Sequence, residues 1–213
     1  MPAPYLPLNT SDVVIDLSHW ENVSQDFVQT ATVPDANGNT ILAVILKATQ
    51  GTGFVDPTFL SRVAEAKAAG LLVGAYHFLD GSTPTEQIAH FLTVAKSEAG
   101  LSWFAIDWEP YPASQASVMQ AATAVASVQA ATGRWPVLYM GRYMIPAPNT
   151  TLSKCALFLP EYGTRPICPP GWSAWRLWQY TDSGNVPGIG ACDRSKFAGT
   201  VEELKAWWQN PVL

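Results

Sequence analysis

Short apolar runs alternate with amphipathic stretches along nearly the whole chain, and this alternation limits the fold more than any other feature. "DVVIDLS" (12–18), "ILAVILKAT" (41–49), "LLVGAYHFL" (71–79), "SWFAIDWE" (102–109), "WPVLYMG" (135–141), "CALFLPEYG" (155–163) and "AWRLWQYTD" (174–182) read as strands. Between them, "DPTFLSRVAEAKAAG" (56–70) carries Phe59, Leu60, Val63, Ala66 and Ala69 at helical spacing and closes on Gly70. "STPTEQIAHFLTVAKSEAG" (82–100) has Pro84 in its first turn and Gly100 past its end. "SQASVMQAATAVASVQAATG" (114–133) is an Ala-rich helix, whereas "RYMIPAPNTTLSK" (142–154) is irregular. "TVEELKAWW" (200–208) closes the chain as a helix, with Thr200 and Glu203 spaced for a capping box.

Strand, helix and strand in repeated succession imply a parallel sheet with crossover helices, an α/β fold. Near-continuous apolar strands such as "LAVIL" and "LLVGAY" require both sheet faces to be covered. A closed (β/α) barrel and an open doubly wound sheet both meet that requirement. No Gly-rich phosphate loop follows an early strand, which weighs against a nucleotide-binding sheet. No repeat or linker interrupts the chain, so one domain over residues 1–213 is expected, with 1–11 as an N-terminal extension. At this length roughly 70% of the unfolded surface is buried, and the core needs no disulfide or metal.

Several function classes drop out. A net charge of -5 and a pI near 5.1 argue against nucleic acid as the partner. No run of about 18 apolar residues exists to span a membrane. "MPAPYLPLNTSD" lacks the basic and apolar regions of a signal peptide, so action outside the cell would need separate release machinery or a leader already removed. Cys155, Cys168 and Cys192 match no zinc spacing; Cys168 and Cys192 sit in Gly/Pro-rich, loop-like sequence where one disulfide would fit. His19, His77 and His90 are scattered, so neither a catalytic metal nor another cofactor is expected. There is no G-x-S-x-G nucleophile elbow.

In parallel α/β folds chemistry collects at the carboxyl ends of strands. Those ends here carry Asp16, Lys47, Tyr76 to Phe78, Asp107 with Glu109, Tyr139, Glu161 with Tyr162, and Trp178 to Tyr180. Residues i and i+2 of a strand share a face, so Asp107 and Glu109 project together, Cα atoms about 6.5–7 Å apart, and Trp108 points away. Two carboxylates this close push each other's protonation apart, so one stays an acid near neutral pH. Glycoside hydrolysis needs such a pair. A solvated strand end or a metal site would also contain D-x-E; Asp16 and Lys47 at neighbouring strand ends favour the catalytic reading. His77 is expected to face away from the cleft, and Trp207 and Trp208 to pack in the core.

Taken in order, "VVIDLSHW", "ILKATQGTGFVDPTF", "GAYHFL", "FAIDWEP", "PVLYMG", "LFLPEYG" and "LWQYTDSGNVPGIGACDRSKFAG" resemble the glycoside hydrolase family 25 enzymes, the Chalaropsis-type and phage-type lysozymes. The resemblance implies an irregular, TIM-like (β/α) barrel and N-acetylmuramidase activity on the β-1,4 bond between N-acetylmuramic acid and N-acetylglucosamine. It implies Glu109 as general acid, Asp107 assisting at the anomeric side, and Asp16 and Asp193 completing an acidic cluster. Lys47, Tyr76, Tyr139 and Trp178 become substrate-cleft residues. Either Asp107 is a covalent nucleophile or it orients the substrate's 2-acetamido group; the carboxylate spacing straddles the two stereochemical ranges, and participation with net retention is favoured. The partner would be peptidoglycan glycan strands in the bacterial wall, outside the cell or in the periplasm, met by a monomer. The chain departs from the family pattern in two places: Glu21-Asn22 where Gln-Gly is usual, and Ser195 where Asn or Asp is usual. Rival readings are a non-catalytic wall-binding module, against which both acids argue, and a hydrolase of chitin-like polymers.

Overall fold

The computed structural model describes residues 9–21, 25–163 and 165–211. Most of the expected N-terminal extension, residues 1–8, lies outside the described residues, as does Asn22. Nine strands occur among them: β1 (Ser11–Leu17), β2 (Ala43–Gln50), β3 (Phe54–Val55), β4 (Leu72–Phe78), β5 (Phe104–Asp107), β6 (Val137–Tyr139), β7 (Leu157–Pro160), β8 (Leu177–Val186) and β9 (Gly190–Phe197). The helices are α1 (Phe27–Thr32), α2 (Phe59–Ala68), α3 (Pro84–Leu92), α4 (Val118–Thr132) and α5 (Val201–Gln209).

Of the two architectures the strand pattern allows, the chain adopts the barrel. β1, β2, β4, β5, β6, β7 and β8 run parallel in that order. β9 then pairs antiparallel with both β8 and β1 and closes the ring. This closing strand is not visible as an apolar run. On the outer face of "GACDRSKF" Arg194 is buried but ion-paired with Asp12 (3.1 Å) and Asp35 (2.7 Å), and Lys196 is half-buried, so charge stands where the parallel strands carry apolar side chains. The barrel is irregular because β6 and β7 are joined only by short 3₁₀ turns at Arg142–Met144 and Leu152–Lys154, as "RYMIPAPNTTLSK" implies.

Element ends are set by local hydrogen bonds. α2 starts later than its periodicity suggests because the Asp56 carboxylate holds the Thr58 N–H (2.9 Å) and hydroxyl (2.6 Å) ahead of it. α4 starts at a Ser117–Gln120 capping box, so residues 114–117 form the approach to the helix. α3 continues as a π-helical turn over Thr93–Glu98. The Thr200–Glu203 capping box opens α5, as expected.

α5 plugs the N-terminal end of the lumen. Trp103 enters there and stacks on Trp208, ring centroids 4.5 Å apart and planes at 9°. The bulky indole fits because β4 has Gly74 opposite: a Cβ at that position would meet Trp103 Cε3 at 2.4 Å. Ile45, Ala105, Val137, Phe158, Leu177 and Phe197 fill the layer above, facing inward. Outward-facing Leu17, Leu46, Ile106, Leu138 and Leu159 pack under the helices. Period-2 alternation thus separates a lumen from a mantle.

The disulfide expectation fails. Cys192 lies within β9 on its mantle side, buried, not in a loop, and Cys155, Cys168 and Cys192 are all free thiols. Burial raises all three, Cys168 to about 11 and Cys192 to about 12, so they are poor nucleophiles.

Candidate active site

At the carboxyl end of the barrel the inward alternation changes from apolar to acidic. Lumen positions that hold Val14, Ala105 and Leu177 lower down become Asp16, Asp107 and Gln179, two residues on. They line a cavity of about 320 Å³ together with Lys47, Tyr76, Glu109, Tyr139, Tyr162 and Asp193. Trp20, which is 78% exposed, stands at its mouth.

β5 aims two of the acids. The Leu79 N–H donates to the Asp107 carbonyl and the Trp108 N–H to the Tyr139 carbonyl (each 2.9 Å), keeping the backbone extended past the formal strand end. Trp108 turns into the mantle, where its Nε1 donates to the Ala116 carbonyl at 2.9 Å. Asp107 and Glu109 therefore both face the cavity, as the i, i+2 rule requires. Asp107 is buried, and its Oδ1 has no hydrogen-bond partner among the described residues. Burial and then the nearby Glu109 push the Asp107 carboxyl well up, against the pull of Lys47. Glu109 is more open; burial raises it and Lys47 again opposes.

Lys47 is itself buried, and burial lowers its ammonium while Asp107, Asp56, Glu109 and Glu21 hold it charged. Its Nζ donates to Gln50 Oε1 at 2.8 Å and lies 4.8 Å from the centre of the Phe78 ring. One cation thus serves both members of the D-x-E pair.

The other two acids meet across the closing strand. Asp16 on β1 and Asp193 on β9 are direct register partners. They share a hydrogen bond, and burial plus mutual repulsion raises Asp16 strongly. Asp193 rises to about 6, burial being the main cause and its bond to Asp16 a counterweight. Gln179 ties this pair to the cleft wall. Its Nε2 donates to both Asp16 oxygens at 3.1 Å, and its Oε1 accepts from Tyr139 (2.9 Å) and Tyr162 (3.0 Å). With two hydroxyls on one side and a carboxylate on the other, only this amide orientation satisfies every group.

Six cleft residues named from the sequence besides Glu109 gather here: Asp16, Lys47, Tyr76, Asp107, Tyr139 and Asp193. Trp178 does not. It faces the mantle, its Nε1 donating to the Glu161 carbonyl at 2.7 Å and its ring set against Trp175 and Tyr180. The neighbouring Gln179 takes the inward place, which the pairing of β8 with β7 and β9 fixes. Trp20, inside the "DLSHW" segment, joins the cleft although its sequence position gives no periodic signal.

The remaining polar groups serve structure. His77 faces the mantle, bonded to Thr49 (2.8 Å) and Gln87 (3.1 Å), and burial lowers it to about 4. His19 is held by Asp56 through both backbone N–H and ring. Glu21 accepts from the Ser18 hydroxyl, and Arg62 binds the Ser18 and Glu21 carbonyls, so this unusual position closes a tight turn beside Trp20. Ser195 is fully buried beside Gln179 in the β8–β9 register.

The profile of the family "Glycosyl hydrolases family 25" matches residues 15–189. The uncharacterized protein YegX of Escherichia coli K12 is 31% identical over 201 residues, covering 91% of this chain and 72% of that protein. Lysozyme M1 of Streptomyces globisporus is 29% identical, covering 96% and 74%. Among solved structures, the bacterial lysozyme of Streptomyces coelicolor superposes with a TM-score of 0.76 at 28% identity, over 93% of this chain and 97% of that one. A family GH25 lysozyme from Aspergillus fumigatus gives 0.75 at 28%, over 93% and 98%.

Proposed function

This chain belongs to glycosyl hydrolases family 25, and from that premise we propose how its acids divide the work. The protein is a peptidoglycan-cleaving muramidase, acting on the β-1,4 bond between N-acetylmuramic acid and N-acetylglucosamine. We assign Glu109 as the general acid. Burial raises its carboxyl above the ordinary value, which favours the protonated form, and it is open enough to reach a glycosidic oxygen at the cavity surface. The single observation that carries this reading is that Asp107 and Glu109 face one cavity at different depths, with Lys47 balancing both.

In the proposed sequence the acetamido oxygen of the muramic acid attacks its own anomeric carbon while Glu109 protonates the departing oxygen. Asp107 accepts the acetamido N–H; its unpartnered Oδ1 is suited to this. Glu109, now a carboxylate, takes a proton from water, which opens the cyclic intermediate with net retention. Asp16, Asp193 and Gln179 hold the floor on which the sugar rests, and Tyr76 and Tyr139 wall it. The chain works as a monomeric, single-domain enzyme on the bacterial wall.

Mass analysis of digested wall tests the activity: new reducing ends must be muramic acid. Release of N-acetylglucosamine ends, or digestion of chitin alone, sinks the reading, and no release at all supports a wall-binding module. Wall stripped of the muramic N-acetyl groups should turn over far more slowly, with binding falling less. Equal rates on both walls would make Asp107 the nucleophile.

A further inference from the structure

Beside the acidic cavity lies a second one of about 250 Å³, lined by Glu109, Tyr139, Gly141, Tyr143, Pro160 and Tyr162. It shares Glu109, Tyr139 and Tyr162 with the first but none of Asp16, Lys47, Asp107 or Asp193, and Gly141, Tyr143 and Pro160 belong to it alone of the two. A general acid stands at the bond being broken, between the sugar that reacts and the sugar that leaves. The reacting sugar belongs with the acids that act at its anomeric carbon. The cavity beyond Glu109 is then on the leaving side.

Its walls are built to stay in place while remaining open. Tyr143 is 71% exposed and Tyr162 54%. The Tyr143 ring lies against Gly141, where an added Cβ would stand 2.8 Å from ring atoms Cε1 and Cζ. Gly141 has φ −67, a conformation any residue adopts, so the glycine is needed for the ring's approach and not for the backbone. Tyr162 is anchored by its hydroxyl on Gln179 Oε1. The residues preceding each tyrosine, Arg142 and Glu161, form an ion pair at 3.2 Å that joins the two loops. Two held, exposed aromatic side chains flanking a cavity offer apolar surface to the C–H faces of a pyranose ring, with hydroxyls at the edge.

We propose that this cavity is the subsite for the leaving N-acetylglucosamine, so that a glycan strand lies with its reducing-end portion over Tyr143 and Tyr162. The non-reducing portion then leaves the acidic cavity past Trp20, which lines that cavity and not the second one. The inference rests on the muramidase reading and adds direction to it.

The test compares two substrates: wall glycan, and an aryl glycoside of the N-acetylglucosaminyl–N-acetylmuramic acid disaccharide, which places only a dye on the leaving side. Tyr143→Ala, an exposed position, and Gly141→Val, which displaces the ring, should each lower kcat/KM on wall glycan roughly 10-fold and change the aryl glycoside rate by less than about 2-fold. Tyr143→Phe should restore most of the wall activity. Trp20→Ala should lower both rates together. The subsite is wrong if Tyr143→Ala leaves wall glycan cleavage unchanged, or depresses both substrates equally. A wild-type protein that releases no muramic acid ends would instead overturn the muramidase reading itself.

Discussion

At the N-terminal end of the barrel the lumen is closed by Trp103, Trp207 and Trp208, packed ring on ring under Ile45 and Phe197. At the carboxyl end the same lumen terminates in Asp16, Asp107, Asp193 and Glu109, all raised by burial. One end gains free energy by burying apolar rings, while the other holds carboxylates whose charged forms are disfavoured by burial and by one another. Both ends are reached along the same strands, only a few residues apart. The comparison teaches that the barrel can hold repulsive chemistry at its open end because cohesion comes from the plug and the mantle, a separation of stability from function that a strained site requires.

The plug should show the largest effect. Trp103→Ala empties the stack at the closed end and is expected to lower unfolding free energy by about 3–5 kcal/mol in a denaturant titration. Activity per folded molecule should hold. A Trp103→Ala protein of normal stability would mean that the plug does not carry the barrel.

Next comes the opposite end. Glu109→Gln keeps the shape, removes the proton donor and relieves like charge on Asp107. Turnover should fall roughly 100-fold or more, the scale of general acid catalysis. The unfolding temperature should stay the same or rise. An active but thermally weakened Glu109→Gln would show that the carboxylate is structural, and the contrast between the two ends would collapse.

The smallest effect is a pH slope. The folded value of Asp193, about 6, exceeds its ordinary 3.8, so the native state binds the extra proton between them. The stability this contributes is complete below about pH 4 and is lost as pH rises through about 6. Asp16, Asp107 and Glu109 are shifted the same way. His77 in the mantle acts oppositely: with its folded value near 4 against an ordinary 6.5, stability is lost as pH falls through that range. Asp193→Asn should therefore make stability rise more steeply with pH between about 4 and 6 than in the wild type, by removing one descending contribution. Identical slopes in a thermal series would show that Asp193 is not strained.

The pair Asp107 and Glu109 could be placed from sequence because the rule involved is local: i and i+2 share a face whatever the strand later pairs with. Trp178 shows where that rule loses its grip. In "LWQYTD" both parities carry large side chains, and only pairing of β8 with β7 and β9 decides that Gln179 faces inward and Trp178 outward. Cys192 and β9 fail for a related reason: an antiparallel closing strand with a charged outer face has no apolar run to announce it.

Strand and helix alternation, the caps, and the two carboxylates of "IDWE" follow from the sequence alone, since periods of two and 3.6 and short-range hydrogen bonds act between near neighbours. The closed ring, the Asp16–Asp193 pair and the Gln179 bridge to Asp16, 163 positions away in the chain, exist only in the tertiary structure. They depend on β9 fitting between β8 and β1, a pairing that no local period specifies and that forms only when the rest of the barrel brings those edges together.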